Sequence, residues 1–275
     1  MACLIVLIAL MGLSSFLYSL INPNPWLWFL WIPLGIITVV VLFLGWVYLV
    51  ALPIIGKMNP NNKLKIWYTN HILKFANLLC GVKVKVEGYE NLTTEHKVLY
   101  VSNHKSNIDP LILYVAMKTK GPSAAGKSEV WECKPLIPFL DAFKMLKINR
   151  NNDRETAKVL IEGIKFMREG NGMILFPEGG IKTREVEQMV SIKPGAYKLA
   201  IKSEAVIQPI AIIGSSLISK RKFFSPFVTV TVRFLPAINY EDYKDLNTHE
   251  IAYKVLDVVN ENFPNEEKWL VHEEN

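Results

Sequence analysis

The chain has 275 residues, a net charge of +6 and a composition that is 51% hydrophobic. That apolar share is high for a soluble protein and unevenly placed, since no Asp, Glu, Lys, Arg or His precedes Lys57. A uniform soluble domain is excluded, and the positive charge comes without a nucleic-acid reading motif, so no nucleic-acid partner is expected.

The first apolar stretch, Ala2 to Ile21, has the length of one bilayer crossing, about 20 residues. Asn22-Pro23-Asn24-Pro25 is turn chemistry, and a longer apolar stretch runs from Trp26 to Ile55. Trp26, Trp28 and Trp31 mark one end of it, Trp46 and Tyr48 the other, as aromatic residues do at headgroup level. Residues 1–56 are therefore predicted to be a membrane-embedded helical hairpin, and residues 57–275 a globular domain. Two helices lying in one leaflet, or packed on the domain, are the alternative. Lys57, Lys63 and Lys65 follow the second segment while the turn carries no charge, which predicts an integral protein with its domain on the cytoplasmic face. With Lys74, Lys83 and Lys85 they form a cluster that anionic headgroups would attract at roughly 1 kcal/mol per charge, so a bilayer is an expected partner. The stretch KRKFFSPF, Lys220 to Phe227, is a candidate for a second interfacial contact or an ordinary surface loop. Cys3, Cys80 and Cys133 show neither pairing nor metal spacing and read as reduced and structural.

Within the domain, Lys63 to Cys80 has Leu64, Trp67, His71, Lys74, Phe75 and Leu78 at near-helical spacing and is predicted as an amphipathic helix ended by Gly81. VKVKVEG alternates as a strand, and a second strand around Val98 leads into a helix, DPLILYVAM, with Pro110 in its first turn. SAAGK reads as a short strand, KPLIPFLD as a helical piece and KMLKINR as a strand. Asp153 to Arg168 is a helix capped by Asp153 and stopped by Gly170. A strand at GMILF, a helix at KPGAYKLAIKS, strands at VIQPIAII and FVTVTVRF and a helix from Thr248 to Asn262 complete the chain. This alternation predicts an α/β fold, a mixed and largely parallel sheet covered by helices.

Three of these strands end in polar residues: Asn103-His104, Arg150, and Pro177-Glu178-Gly179-Gly180. Open α/β sheets bind ligands beyond the carboxyl ends of their strands, which makes the three candidates for one site. His104 and Asp109 lie across a strand-to-helix turn. Asp109 there can fix the imidazole tautomer and leave Nε2 as a base. The same spacing also arises from a helix N-cap Asp beside a surface His. No Gly-x-Ser-x-Gly elbow supplies a nucleophile, so a base at His104 would act on a substrate hydroxyl or water. Arg150 suits phosphate or carboxylate recognition, or solvation in a loop. Glu178 sits in a tight Gly turn, with Lys182 and Arg184 in reach.

GPSAAGKS, Gly121 to Ser128, matches the pattern of a nucleotide phosphate loop, in which Lys127 would contact phosphates and Ser128 magnesium. That motif needs a strand before it and a helix after it. Here a helix precedes it and Pro135 interrupts the segment on its far side, so a nucleotide-hydrolysing or lipid-binding module is retained only as the alternative.

Four blocks occur in order: NHKSNIDP at 103–110, KINRNNDRE at 147–155, ILFPEGG at 174–180 and VIQPIAI at 206–212. Together they resemble the glycerolipid acyltransferase family, in particular its 1-acyl-glycerol-3-phosphate acyltransferases, over roughly Gly81 to Phe234. His104 and Asp109 match the family's Asn-His-x4-Asp, Arg150 the Arg of its second block, Phe176 to Gly179 its third, and Pro209 its fourth. Lys127 falls in an Ala-Lys-x-Glu-like stretch. The sequence departs from the family at Gly180, Ile181 and Lys182, where Thr, Arg and Ser are usual, and at Asn149, where Asp is usual.

The resemblance implies acyl transfer from acyl-CoA or acyl-carrier protein to the sn-2 hydroxyl of lysophosphatidic acid, giving phosphatidic acid for phospholipid synthesis. His104 and Asp109 would be catalytic, with Lys127 beside the developing oxyanion. Arg150, Glu178, Gly179 and Lys182 would hold the acceptor. Glu178, an anion, would orient a basic partner or a glycerol hydroxyl. The reaction it implies requires no cofactor and no metal.

Overall fold

The structure is a computed structural model, which describes residues 2–21, 24, 26, 28–118, 120–149, 152–222, 225–263 and 272–273. It divides into two compact units, Met1–Lys57 and Met58–Asn275.

In the first unit α1 (Ala2–Ile21) folds back on α2 (Trp28–Trp46), which continues through a π-helical turn, Val47–Ala51, into α3 (Leu52–Lys57). Small residues set the helix crossing. A Cβ on Gly35 would collide with Ser15, and the Ser14 hydroxyl donates to the Gly35 carbonyl at 3.2 Å. Tyr18 and Thr38 join their hydroxyls at 2.9 Å one turn on. Among the described residues one helical run, Leu30–Lys57, is long and apolar enough to cross a membrane.

The second unit starts with α4 (Lys63–Leu79), whose N-cap Asn62 accepts from the N–H groups of Leu64 and Lys65. In chain order there follow β1 (Val82–Glu87), β2 (Val98–Ser102), α5 (Asp109–Met117), β3 (Ser123–Lys127), α6 (Ile137–Ala142), β4 (Leu146–Ile148) and α7 (Asp153–Arg168). Then come β5 (Met173–Leu175), β6 (Ser191–Ile192), α8 (Lys198–Ser203), β7 (Val206–Ile213), β8 (Val228–Phe234), α9 (Thr248–Asn260) and β9 (His272–Glu273). Seven strands form one sheet in the order β1-β8-β7-β2-β5-β3-β4. Strands β7, β2, β5, β3 and β4 run parallel, while β8 pairs antiparallel with β7 and parallel with β1. The mixed, largely parallel sheet predicted from the alternation of elements is therefore present; β6 pairs separately with β9.

Strand periodicity splits the core onto two faces. Leu99 and Val101 of β2 join Met173, Ile207, Met167, Leu199, Val255 and Val259 on one face. Val98 and Tyr100 join Ile174, Ile210, Ile212, Val232, Ile112 and Leu113 on the other. Strand β2 is buried on both faces, which is why its sequence is continuously apolar. The result is a rigid central strand whose carboxyl end carries His104.

Two local expectations are corrected, the cap of α7 and the exposure of Lys65, while α4 adds a finding on which face it buries. Helix α7 is capped by Asn152, not Asp153, because the Asn152 side chain accepts from Arg154 and Glu155 N–H. The apolar stripe of α4 faces outward: Trp67 is 55% and Leu78 51% exposed, while Ile66, Thr69, Asn70, Leu73 and Asn77 are buried. Thr69 bonds Tyr114 of α5 at 3.1 Å, so a partly polar face makes the packing contact. Lys65, assigned to the headgroup-facing cluster, is only 2% exposed, and burial with the neighbouring Lys144 charge pushes its pKa down to about 8. Of the Lys220 to Phe227 stretch, residues 223 and 224 lie outside the described residues; Phe227 lies under the cations of Lys83 and Arg221.

Candidate active site

Beyond Ser102, β2 leaves the sheet through Asn103, a buried residue that fastens the exit. Its amide accepts from Ile212 N–H at 2.8 Å and donates to the carbonyls of Ile212 at 2.8 Å and Glu187 at 2.9 Å. The chain then turns through residues 104–108 into α5, where Pro110 in the first turn needs no N–H partner.

Asp109 is the first residue of α5, and its carboxylate folds back over the turn it has just left. Oδ2 accepts from the Lys105 N–H at 2.7 Å, the Ser106 N–H at 2.8 Å and His104 Nδ1 at 3.0 Å. The N-cap position is Ile108, with no side-chain cap, which disposes of the reading in which Asp109 only caps the helix. An ionised carboxylate only accepts, so Nδ1 carries a proton and Nε2, on the far edge of the ring, is left as the acceptor. The His104 side chain is 16% exposed and that of Asp109 is buried. Phe176 covers one face of the imidazole, with ring centroids 4.2 Å apart.

Glu178 is wholly buried, and its oxygens are taken by protein donors. Oε1 accepts from the His104 N–H at 2.9 Å; Oε2 accepts from Lys105 Nζ at 2.8 Å and Val190 N–H at 3.3 Å. Of the roles expected for Glu178, this geometry matches orientation of a basic partner, Lys105. Gly179 has φ +71° and Gly180 φ +150°, so the turn after Glu178 needs backbone that glycine adopts freely. A Cβ on Gly179 would come within 2.5 Å of Lys193 Cε, so the Lys193 stem occupies the space that glycine leaves.

The remaining candidates are more scattered. Lys182 is exposed, on the segment after that turn. Lys127 ends β3, which β5 separates from β2, and its ammonium pairs with Glu129 at 3.0 Å. Two strand spacings, about 10 Å, therefore lie between the strand of Lys127 and that of His104. Arg150 lies outside the described residues. The nucleotide-loop alternative fails on topology. Ser123–Lys127 is a sheet strand, not a loop, and the residues directly after it form two short 3-10 turns rather than the helix that such a loop opens.

Sequence reasoning missed Lys105, Lys193 and Glu187. Glu187 accepts from the Ser216 hydroxyl at 2.5 Å and the Ser216 N–H at 3.2 Å, and burial pushes its carboxyl above the usual range. No local pattern marks these residues, because their partners are distant in the chain.

A family model described as Acyltransferase matches residues 83–213. A 1-acyl-sn-glycerol-3-phosphate acyltransferase from Limnanthes douglasii is 28% identical over 194 residues, which cover 69% of this chain and 66% of the relative. A probable 1-acyl-sn-glycerol-3-phosphate acyltransferase from Mycoplasma pneumoniae is 31% identical over 188 residues, covering 64% of this chain and 69% of the relative. The chain thus spans about two thirds of the length of these relatives. The fold resembles the crystal structure of the 1-acyl-sn-glycerophosphate (LPA) acyltransferase PlsC from Thermotoga maritima, with a TM-score of 0.64 at 20% identity over 80% of this chain and 90% of that one. With the His104–Asp109 pair at the carboxyl end of a central strand and these likenesses in hand, the chain belongs to the glycerolipid acyltransferase family, among relatives named as 1-acyl-sn-glycerol-3-phosphate acyltransferases.

Proposed function

We propose that the chain moves a fatty acyl group from a thioester, acyl-CoA or acyl-carrier protein, to the sn-2 hydroxyl of lysophosphatidic acid, yielding phosphatidic acid. The observation that carries this reading is the His104–Asp109 pair, a base whose Nδ1 is held by a buried carboxylate at 3.0 Å. An alcohol is too weak an acid to attack a thioester unaided. His104 Nε2 takes the hydroxyl proton as the oxygen bonds to the thioester carbon, and the imidazolium is stabilised by Asp109. Collapse of the tetrahedral oxyanion breaks the C–S bond, and the imidazolium returns its proton to the thiolate. Base help of this kind is worth about 10²–10⁴ in rate.

Lys127, freed from Glu129, is assigned to the oxyanion. Arg150 is assigned to the acceptor phosphate, and Lys182 to the same anion. Lys193, lying against Gly179, joins them where the family's usual Arg is missing. Glu178 acts through Lys105 and the His104 backbone rather than on substrate.

The acceptor and product are lipids, and residues 1–56 are assigned to the bilayer, with the domain from residue 57 on the cytoplasmic face. The uncharged length of Leu30 to Ile55 and the outward Trp67, Leu78 and Leu64 of α4 support a membrane setting. Purified protein should consume an acyl thioester only when lysophosphatidic acid is present, and His104→Ala should abolish that consumption. Acceptor-dependent turnover in a folded His104→Ala variant would refute the mechanism.

A further inference from the structure

We propose that Lys105 and Glu178 form a buried latch that fixes where His104 sits and which net charge it faces. The pair is 73 residues apart in sequence, both side chains are 0% exposed, and Nζ lies 2.8 Å from Oε2. A buried ion pair is a poor stabiliser, since an apolar pair of similar volume does as well or better, so stability alone gives no reason for this one. Its placement gives the reason. Parallel pairing of β2 with β5 ends at Val101 opposite Leu175. Three residues further along each chain stand His104 and Glu178, and there the Glu178 side chain replaces the missing ladder by accepting the His104 N–H at 2.9 Å. Lys105, the next residue, grips the other oxygen of the same carboxylate. His104 is thereby held through its own backbone and through its neighbour's side chain.

The charge consequence comes from the groups that surround the imidazole. Asp109 from the start of α5 and Glu178 from the turn after β5 are carboxylates on the His104 turn. Glu187, from the segment before β6, interacts with both Asp109 and Lys105. Lys193, after β6, lies across Gly179. Lys105 is the fully buried cation of this cluster, and it offsets Glu178. Without it, the extra negative charge favours the imidazolium, which leaves less free base at a given pH. With both members neutral, the balance returns.

The inference rests on the acyl-transfer reading only for its effect on turnover, so its test is a titration without substrate. Full-length protein carrying ¹³Cε1-labelled histidine is titrated by NMR in detergent, the His104 signal being the one lost in His104→Ala. Lys105→Met should raise the His104 midpoint by about half a pH unit or more. Lys105→Met with Glu178→Gln should return it to the wild-type value. If Lys105→Met does not fold, Glu178→Gln, which keeps an acceptor for the His104 N–H, should move the midpoint down. An unchanged midpoint in either folded single variant overturns the latch, as does a double variant that keeps the single variant's shift. A wild type that consumes no thioester with lysophosphatidic acid would overturn the proposed function and leave the titration result standing.

Discussion

Phe176 lies nearly flat against the imidazole of His104, with ring centroids 4.2 Å apart and planes 20° from parallel. Asp109 fixes one edge of the same ring at Nδ1. Edge and face together leave the ring little freedom to rotate, so Nε2 is aimed before substrate arrives. Phe176→Leu keeps apolar bulk but loses the stack, worth about 0.5–1.5 kcal/mol. Turnover should fall about 3–10-fold with little change in acceptor KM. A KM effect without a kcat effect would instead make Phe176 a substrate contact.

Asp109 serves the turn and the base with one oxygen. Asp109→Asn retains a carbonyl oxygen for the Lys105 and Ser106 N–H groups. The amide oxygen that takes this place is a weaker acceptor for Nδ1 and carries no negative charge to stabilise the imidazolium. The expected loss is about 10³–10⁴ in kcat, the size seen when the Asp of a triad becomes Asn, with far-ultraviolet circular dichroism unchanged. Retention of more than a tenth of wild-type turnover would show that the charge of the carboxylate is not needed by the base.

Two glycines at positive φ separate strain from crowding. Gly170 (φ +84°) ends α7 with open space where a Cβ would go, while a Cβ on Gly179 (φ +71°) meets Lys193 Cε at 2.5 Å. Both pay for left-handed backbone when replaced by Ala, roughly 1 kcal/mol. Gly179→Ala must in addition push the Lys193 stem away from the turn. Gly170→Ala should lower Tm by a few degrees and leave kinetics intact, whereas Gly179→Ala should also raise acceptor KM several-fold. Equal kinetics for the two would separate Lys193 from acceptor binding.

The His104–Asp109 contact was legible in the sequence because it is local. An apolar strand, five residues of turn and an Asp-Pro helix start put His104 and Asp109 within reach of each other by chain geometry alone. Glu178 was legible as a residue of the candidate site but its bonds were not, because its partners lie 73 and 74 residues away and only the β2–β5 pairing brings them together. Asn103 has the same limit, since the Ile212 it holds is 109 residues on. Helix α4 shows how a hydrophobic period reports a face without saying what the face meets. Leu64, Trp67 and Leu78 form the stripe, yet Thr69, Asn70 and Asn77 are the buried side. The cap of α7 shifted by one residue because Asn152 and Asp153 are both good caps, and only the bonds to Arg154 and Glu155 decide between them.

Glu187 gives the site a measurable pH dependence of stability. Burial raises its carboxyl above the usual range and Asp109 adds to this, outweighing the Ser216 hydrogen bonds and Lys105. A carboxyl raised in the native state keeps its proton at a pH where the unfolded chain has lost it. Native stability from this group is therefore greatest below the unfolded value, about 4.3, and is lost as pH rises through the folded value. Above both, the buried charge is present at full cost. Glu187→Gln keeps an oxygen for the Ser216 N–H and hydroxyl but never ionises. Its Tm relative to wild type should rise as pH climbs above about 4.3, the unfolded value, and level off once the wild type has taken on the buried charge. A difference that stays constant as pH climbs would mean that Glu187 titrates alike in folded and unfolded chains.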